Sequence, residues 1–232
     1  MNKYQTIENY LVKFLQDEVR KAGFSKVVLG ISGGVDSAVV AVLAHKAFKD
    51  NLLGIMLPAS TSSHASLEHA TELCQKFGIR VEKIPVGPLV DTYFHDKKDA
   101  SKLRIGNFSA RMRMSVLYDI SARENALVLG TGNKSEILLG YGTIFGDLAC
   151  AINPIGELYK TEIFEFAAHL GVPHSILTKA PSADLWEDQS DEGEFGFSYA
   201  DIDQVLYAHM EEGKNKEALL SSGYDLELVE MA

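Results

Sequence analysis

The stretch Lys26–Ser37, KVVLGISGGVDS, constrains the fold more than any other part of the chain. It opens with aliphatic residues as far as Ile31, which are typical of a buried parallel strand. The pair Gly33 and Gly34 then lets the backbone turn tightly and approach a ligand. Asp36 opens an apolar helix, whose first backbone amides have no partner within the helix. This order favours an anion site, most often for phosphate. The alternative is a capped strand-to-helix turn without a ligand.

The length and composition predict one α/β domain over residues 1–232. The chain is 46% hydrophobic, which is enough for a full core. Cys74 and Cys150 lie far apart, so neither a disulfide framework nor a zinc site is indicated. The opening MNKYQTIENY lacks the apolar core of a signal peptide, and no run approaches the ~18 apolar residues that span a bilayer. We expect a cytoplasmic protein.

The formal charge of −10 argues against nucleic acid as a partner. The charge is unevenly distributed, however. Residues 97–123 carry seven basic and two acidic residues, a net of +5, whereas residues 184–232 carry fourteen acids and two lysines, a net of −12. A local positive stretch in an acidic protein favours a small polyanionic ligand, although each of these charges is equally well explained as part of a solvated helix face.

Strand and helix patterns alternate along the chain. The first ~20 residues show helical spacing. Further strands are expected at Asn51–Leu57, Arg80–Ile84 and Ala126–Gly130, helices at Leu67–Phe77 and Asn107–Glu124, and an irregular surface loop at 85–106. This alternation predicts a doubly wound parallel sheet with helices on both faces. Ligands of such sheets bind beyond the carboxyl ends of the strands.

A second polar turn, Gly130–Glu136 (GTGNKSE), follows the last of these strands. It repeats the first pattern: a strand, a small-residue turn, and a carboxylate that opens a helix. Asp36 and Glu136 would then meet at one sheet edge, where two carboxylates suit Mg²⁺ bound to phosphates. Alone, the second turn is a weak signal, because such sequences also cap helices.

The string SGGVDS resembles the PP-loop of the ATP pyrophosphatases, and it lacks the Lys-Ser/Thr of the Walker-type loop. Five segments together resemble the ammonia-dependent NAD synthetases: LGISGGVDS, GNFSARMRM, GTGNKSE, LGYGTIFGDLACAINPIGELYKTE and KAPSADLWEDQSDE. The resemblance implies an adenine-nucleotide alpha-hydrolase-like fold and a homodimer without a glutaminase domain. It also implies a ligase that converts deamido-NAD (nicotinate adenine dinucleotide) to NAD with ATP, Mg²⁺ and ammonia, releasing AMP and pyrophosphate.

The resemblance also assigns residues. The turn that would hold ATP phosphates comprises Gly30, Ile31, Ser32, Gly33, Gly34, Val35, Asp36 and Ser37. Thr131, Lys160 and Ser182 match further ATP contacts, and Asp36 and Glu136 match magnesium ligands. Arg111 matches the arginine that binds deamido-NAD. Composition alone would make Lys160 a solvated lysine opening the helix Thr161–Leu170, and Ser182 a plain cap or turn residue.

The acidic segment Pro181–Glu194 is expected to be mobile without substrate and to close as a lid that excludes water. Within it, Asp184 is the candidate base that attracts ammonium and takes its proton. A solvated loop explains the acids equally well. The chain departs from the family pattern at Ile144 and Ala151, where many members carry Lys and Asp.

Other classes fit the sequence less well. A PP-loop tRNA thiolase needs reactive cysteines and a basic surface. GMP and asparagine synthetases need a glutamine-hydrolysing domain. A sensor that binds ATP without turnover does not need both carboxylates.

Overall fold

A parallel sheet forms the centre of the protein. The computed structural model describes residues 2–186 and 189–232, and within them the strand order is β3-β2-β1-β4. The strands are β1 (Val27–Gly30), β2 (Leu52–Met56), β3 (Val81–Lys83) and β4 (Leu127–Leu129). The chain runs outwards from β1 to β3 and then returns to β4 on the other side of β1. The predicted doubly wound fold is therefore confirmed, and its switch point, where such sheets bind ligands, lies between β1 and β4.

Helices surround this sheet. They are α1 (Lys3–Lys21), α2 (Val35–Phe48), α3 (His64–Phe77), α4 (Gly87–Phe94), α5 (Lys102–Glu124), α6 (Lys134–Leu139), α7 (Lys160–Leu170), α8 (His174–Leu177), α9 (Asp191–Phe195), α10 (Tyr199–Met210), α11 (Lys216–Ser221) and α12 (Leu226–Met231). Across the described residues, no helix has the length and apolar character needed to cross a bilayer.

Both faces of the sheet are covered, because successive side chains of each strand point to opposite sides. Val27 and Leu29 of β1 belong to the core that contains α1, α2 and α7. Val28, between them, belongs to a second core with Leu53 and Ile120, the latter from α5. A third core joins Tyr159 to helices α10, α11 and α12.

Helix α2 lies deep in the first core. Every residue from Val35 to Ala44 except Asp36 is buried. A helix that is apolar on all sides must be covered on all sides, and here the sheet, α1 and α7 do so. The first turn of α2, which carries Asp36, is thus fixed in place by the core.

The prediction of an irregular loop at 85–106 is wrong for much of this segment. Helix α4 occupies Gly87–Phe94, and its proline sits in the first turn, where a missing N–H does no harm. Helix α5 begins at Lys102, because the Ser101 side chain accepts a hydrogen bond from Arg104 N and caps it. Helix α3 likewise begins at His64, before the predicted Leu67, with Ser63 as its cap.

Candidate active site

The glycine turn after β1 touches the start of α3. Gly33 has φ of +84°, a conformation that favours glycine. A Cβ on Gly33 would also lie only 2.1 Å from Ser66 O. Both observations require glycine at this position, and the close approach packs the turn directly against α3.

Two serine hydroxyls hold the shape of this turn. Ser37 Oγ accepts a hydrogen bond from Ser32 N (3.2 Å), donates one to Gly34 O (3.0 Å), and lies 3.0 Å from Ser32 Oγ. The residue that precedes α2 is Gly34, so no side chain caps the helix. Among the described residues, the first amides of α2 therefore have no side-chain partner at the carboxyl end of β1, as an anion-binding turn requires.

Lys160 connects the two predicted carboxylates. Its Nζ lies 2.7 Å from Asp36 Oδ2 and 3.2 Å from Glu136 Oε1. The Lys160 side chain is only 3% exposed, which excludes the alternative of a solvated lysine. Residues from three separate segments thus meet at the switch point of the sheet.

Asn133 holds the same carboxylates from the other side. Its Nδ2 donates to Asp36 Oδ1 (2.9 Å), and its backbone N donates to Glu136 Oε2 (3.2 Å). Asn133 Oδ1 accepts from Glu136 N (3.0 Å), which completes a capping box at the start of α6. Each carboxylate therefore has one oxygen on Asn133 and the other on Lys160.

The electrostatics of this cluster favour a further cation. When both carboxyl groups are ionised, two carboxylates and one ammonium leave a net charge of −1. Burial, followed by the charge of Asp36, raises the pKa of Glu136 to about 7, against the opposing effects of Lys160 and Asn133. Burial alone would lower the pKa of Lys160, but Asp36 and Glu136 outweigh it and hold that pKa above its ordinary value. Lys160 thus stays charged at neutral pH.

Behind Lys160, a buried polar network links α6, α7 and α10. Ser135 Oγ donates to Asp203 Oδ1 (2.5 Å) and accepts from Lys160 N (2.9 Å). Asp203 Oδ2 accepts hydrogen bonds from Thr161 N and Thr161 Oγ1, both at 2.8 Å. Asp203 therefore anchors the first turn of α7, from which the Lys160 side chain extends into the site.

A second buried carboxylate, Asp191, ties the acidic segment to the cluster. It accepts hydrogen bonds from Tyr141 OH (3.1 Å), Tyr199 OH (3.3 Å) and Ala183 N (3.1 Å). Lys160 Nζ lies 5.2 Å from the centre of the Tyr199 ring. Burial raises the pKa of Tyr199 and that of Tyr141, and neighbouring carboxylates raise both further, so these phenols remain neutral donors to Asp191.

The remaining predicted residues lie outside the Lys160 cluster. Arg111 is exposed, and its Nε donates to Ile144 O (3.2 Å). Asp184 has φ of +52°, and its Oδ2 accepts from Ser63 N (3.2 Å). Ser182 Oγ accepts from Asp184 N (3.0 Å), and Thr131 is partly buried between β4 and α6. Glu187 and Asp188, two acids of the expected lid, lie outside the described residues.

Sequence reasoning missed several members of the site. Asn133 carried a usable signal, since Asn followed three residues later by Glu is a capping pattern. Asp203 carried none, because Ser135 and Thr161 lie 68 and 42 positions away from it. Asp191 entered the prediction only as one acid of the segment Pro181–Glu194, and no spacing linked it to Tyr141, 50 positions away. Arg113 entered the prediction only as one of the basic residues of the stretch 97–123, yet it is partly buried and donates to Leu57 O (3.0 Å) and Ser62 Oγ (3.3 Å).

A doubly wound sheet with an uncapped glycine turn at its switch point, beside a carboxylate pair, defines an enzyme of the nucleotide-binding α/β class. The comparisons with known proteins identify the family. The family model "NAD synthase" matches residues 7–231, and the chain belongs to this family.

Curated relatives and solved structures agree with this assignment. The NH(3)-dependent NAD(+) synthetase of Chlorobaculum tepidum is 54% identical over 223 residues, covering 96% of this chain and 80% of the relative. The enzyme of the same description from Wolinella succinogenes is 56% identical, covering 96% and 87%. The structure of NH3-dependent NAD synthetase from Campylobacter jejuni, in complex with nitrate ion, has a TM-score of 0.84 at 39% identity, covering 100% and 92%. An NMN synthetase structure from Francisella tularensis has a TM-score of 0.88 at 33% identity, with the same coverage.

Proposed function

We propose that the cluster of Asp36, Glu136 and Lys160 is the centre at which this enzyme activates deamido-NAD with ATP for amidation by ammonia. The family assignment carries the reaction, NAD formation by an ammonia-dependent ligase. The observation that carries the location is the buried Lys160 between two carboxylates, directly beside an uncapped glycine turn.

The nicotinate carboxylate is a poor electrophile, because attack by ammonia would have to expel oxide. In the first step, a carboxylate oxygen attacks the α-phosphorus of ATP and the bond to the β-phosphate breaks, which yields an acyl adenylate and pyrophosphate. The turn from Gly30 to Ser37 offers backbone amides to the phosphates, and the Lys160 ammonium stabilises charge on the reacting phosphoryl group. Thr131 and Ser182 are proposed as further ATP contacts.

The residues present fit a magnesium ion. Mg²⁺ is commonly held by one or two carboxylates together with substrate phosphates and water. Asp36 and Glu136 already converge on one cation, the Lys160 ammonium, and the cluster is net negative. We propose these two carboxylates as the metal ligands. When bound there, the ion would neutralise charge on the ATP phosphates.

In the second step, neutral ammonia attacks the acyl carbon, a proton leaves the nitrogen, and AMP departs with the former carboxylate oxygen. Asp184 is the proposed proton acceptor. The sequence match alone supports this role. In the structure, the Asp184 carboxylate accepts a hydrogen bond from Ser63 N and lies near Arg113. The role therefore requires Asp184 to leave this position when substrate binds.

Arg111 is the proposed contact for deamido-NAD. It is exposed on α5 and linked through Ile144 O to the turn after Thr143. Its guanidinium would bind the phosphates of the dinucleotide by charge-assisted hydrogen bonds.

We also propose a homodimer, as the family resemblance implies. The same turn exposes apolar side chains, with Ile144 63% and Phe145 74% exposed. Light scattering coupled to size-exclusion chromatography tests this, and a mass of a single chain at micromolar concentration would contradict it.

A second candidate product is the mononucleotide NMN. The Francisella structure described as an NMN synthetase superposes with a TM-score of 0.88, against 0.84 for the Campylobacter enzyme. In addition, Ile144 stands where many family members carry a Lys, so this chain lacks one charged group that the family pattern offers to a dinucleotide.

One experiment addresses both candidates. The protein is incubated with ATP, Mg²⁺ and ammonia, and with deamido-NAD or nicotinate mononucleotide in parallel, and the products are identified by mass spectrometry. NAD and AMP in equal amounts support the main proposal. NMN formed at a higher kcat/KM would favour the second candidate, and the absence of AMP from both mixtures would contradict the adenylation centre.

A further inference from the structure

Lys179 is a cation near the glycine turn to which no role has been assigned. It lies in the connection between α8 and the acidic segment, and it is partly buried. Its Nζ donates a 2.7 Å hydrogen bond to Ser66 Oγ. Within the described part of the chain, no carboxylate lies within 4.0 Å of this ammonium. A partly buried ammonium on a neutral hydroxyl leaves its charge uncompensated, and so available to an anion.

Ser66 joins this ammonium to the glycine turn. Its carbonyl oxygen would lie 2.1 Å from a Cβ on Gly33, so the backbones of residues 33 and 66 are in contact. The Ser66 hydroxyl also lies 2.7 Å from Ser63 Oγ, which keeps it fixed at the start of α3. A single residue, Ser66, therefore connects Lys179 Nζ to the glycine turn.

We infer that Lys179 is a second cationic contact for ATP, which binds the pyrophosphate part of the molecule on the α3 side of the turn. This inference rests on the proposed function, because it takes the glycine turn as the phosphate site. Lys160 is held by Asp36 and Glu136 on the other side, beside α6. The flexible stem of Lys179 allows its ammonium to exchange the Ser66 hydroxyl for a phosphate oxygen.

The chemistry of the first step gives such a contact a purpose. Pyrophosphate carries several negative charges as it departs, and backbone amides supply only partial positive charge against it. An ammonium that is already close, and that no carboxylate of the described residues engages, binds the anion without first breaking an ion pair.

Binding of α,β-methylene-ATP with Mg²⁺, measured by isothermal titration calorimetry, tests the inference. Lys179→Gln should weaken binding of the analogue at least about tenfold, since one charge-assisted hydrogen bond is lost. AMP, which lacks the β- and γ-phosphates, should bind both proteins equally well. Lys179→Arg should recover most of the affinity for the analogue. Lys76→Gln removes a charge from the exposed end of α3 and should leave the affinity for both ligands unchanged.

The outcomes separate the two claims. If the wild-type chain does not bind the analogue, the proposed function and this inference both fail. Two results would overturn only the inference, provided that the wild-type chain binds the analogue. In the first, Lys179→Gln binds the analogue as tightly as the wild-type chain does. In the second, its affinity for AMP falls as much as its affinity for the analogue. Lys179→Met is the second neutral variant, to be measured the same way should the glutamine variant not fold.

Discussion

Lys160 Nζ lies 2.7 Å from Asp36 Oδ2, although 124 positions separate the two residues in the chain. This ion pair joins the first turn of α2 to the first turn of α7. Breaking a buried pair by removing one partner leaves an uncompensated charge, which costs about 3–5 kcal/mol in proteins. The pair therefore stabilises the free protein, and both of its residues also act in the proposed reaction.

The first prediction concerns Asp36. Asp36→Asn keeps a polar side chain of the same size, so the turn should form, but it removes one charged metal ligand and the main partner of Lys160. Adenylation should be abolished, because several kcal/mol of transition-state stabilisation are lost. Release of pyrophosphate is the measurement, with circular dichroism as the control for folding. Full activity would rule out Asp36 as a metal ligand.

The second prediction concerns Arg111. Arg111→Ala should raise the KM for deamido-NAD far more than the KM for ATP, because the side chain is proposed to bind the dinucleotide alone. Arg123→Ala is the matched control, since Arg123 is on the same helix and pairs with Glu82 away from the site. Steady-state kinetics with each substrate varied in turn gives both constants. An equal rise in the two KM values would mean that Arg111 acts on the phosphates of both substrates instead.

The third prediction concerns Asp203. Asp203→Asn replaces one acceptor oxygen with an NH₂ group, so at least one of its three donors loses a partner. We expect a loss of stability of about 1–3 kcal/mol and a fall in kcat for adenylation, because the first turn of α7 is no longer fixed. Leu206→Ala, on the same helix, should cost about 2–5 kcal/mol in stability without changing kcat.

Urea denaturation and initial rates, both measured well below the melting temperatures, distinguish these effects. If both variants lower kcat in proportion to lost stability, Asp203 is merely structural.

The fourth prediction concerns Asp184. If it is the base, Asp184→Asn should still release pyrophosphate but lose amidation at neutral pH, where ammonia is mostly ammonium. Activity should recover partly at high pH, because free ammonia is then plentiful. The measurement is the pH profile of NAD formation for both proteins. Parallel profiles at every pH would show that Asp184 does not accept the proton.

The fifth prediction concerns Glu8, which joins α1 to Lys46 of α2 and His169 of α7. Burial alone would raise the pKa of Glu8, but its hydrogen bonds to Lys46 and His169 lower that pKa below the ordinary 4.5. Its contribution to stability is therefore fully present above about pH 4.5 and is lost as the pH falls through the lowered folded-state pKa.

Glu8→Gln should thus cost up to about 1 kcal/mol at pH 7 and nothing at pH 2, with urea denaturation as the measurement. An equal cost at both pH values would mean that packing, not charge, explains the effect.

The sequence predicted the fold well because its signals are local. The glycine turn, the apolar helix α2 and the alternation of strand and helix depend on residues close together in the chain. The strands came out shorter than predicted only at their ends, where boundaries are least defined. The segment at 85–106 failed because its polar composition masked α4, which the aromatic side chains of Tyr93, Phe94 and Phe108 pack against α5.

The site was predictable only in part. The meeting of Asp36 and Glu136 follows from parallel topology, since both follow strands that end at the same sheet edge. The position of Lys160 between them depends on the path of the chain from residue 141 to 159, which has no regular pattern. The tethers from Asp203 and Asp191 arise from tertiary packing of α10 and α9, and no spacing in the sequence signals them.

The most direct test of the adenylation mechanism follows the oxygen of the substrate. Deamido-NAD labelled with ¹⁸O in its nicotinate carboxylate is converted with ATP, Mg²⁺ and ammonia. The ¹⁸O content of each product is then measured by mass spectrometry. Attack of that carboxylate on the α-phosphorus predicts one ¹⁸O in AMP and none in pyrophosphate. Unlabelled AMP, or label in a product derived from the β- or γ-phosphate, would contradict it.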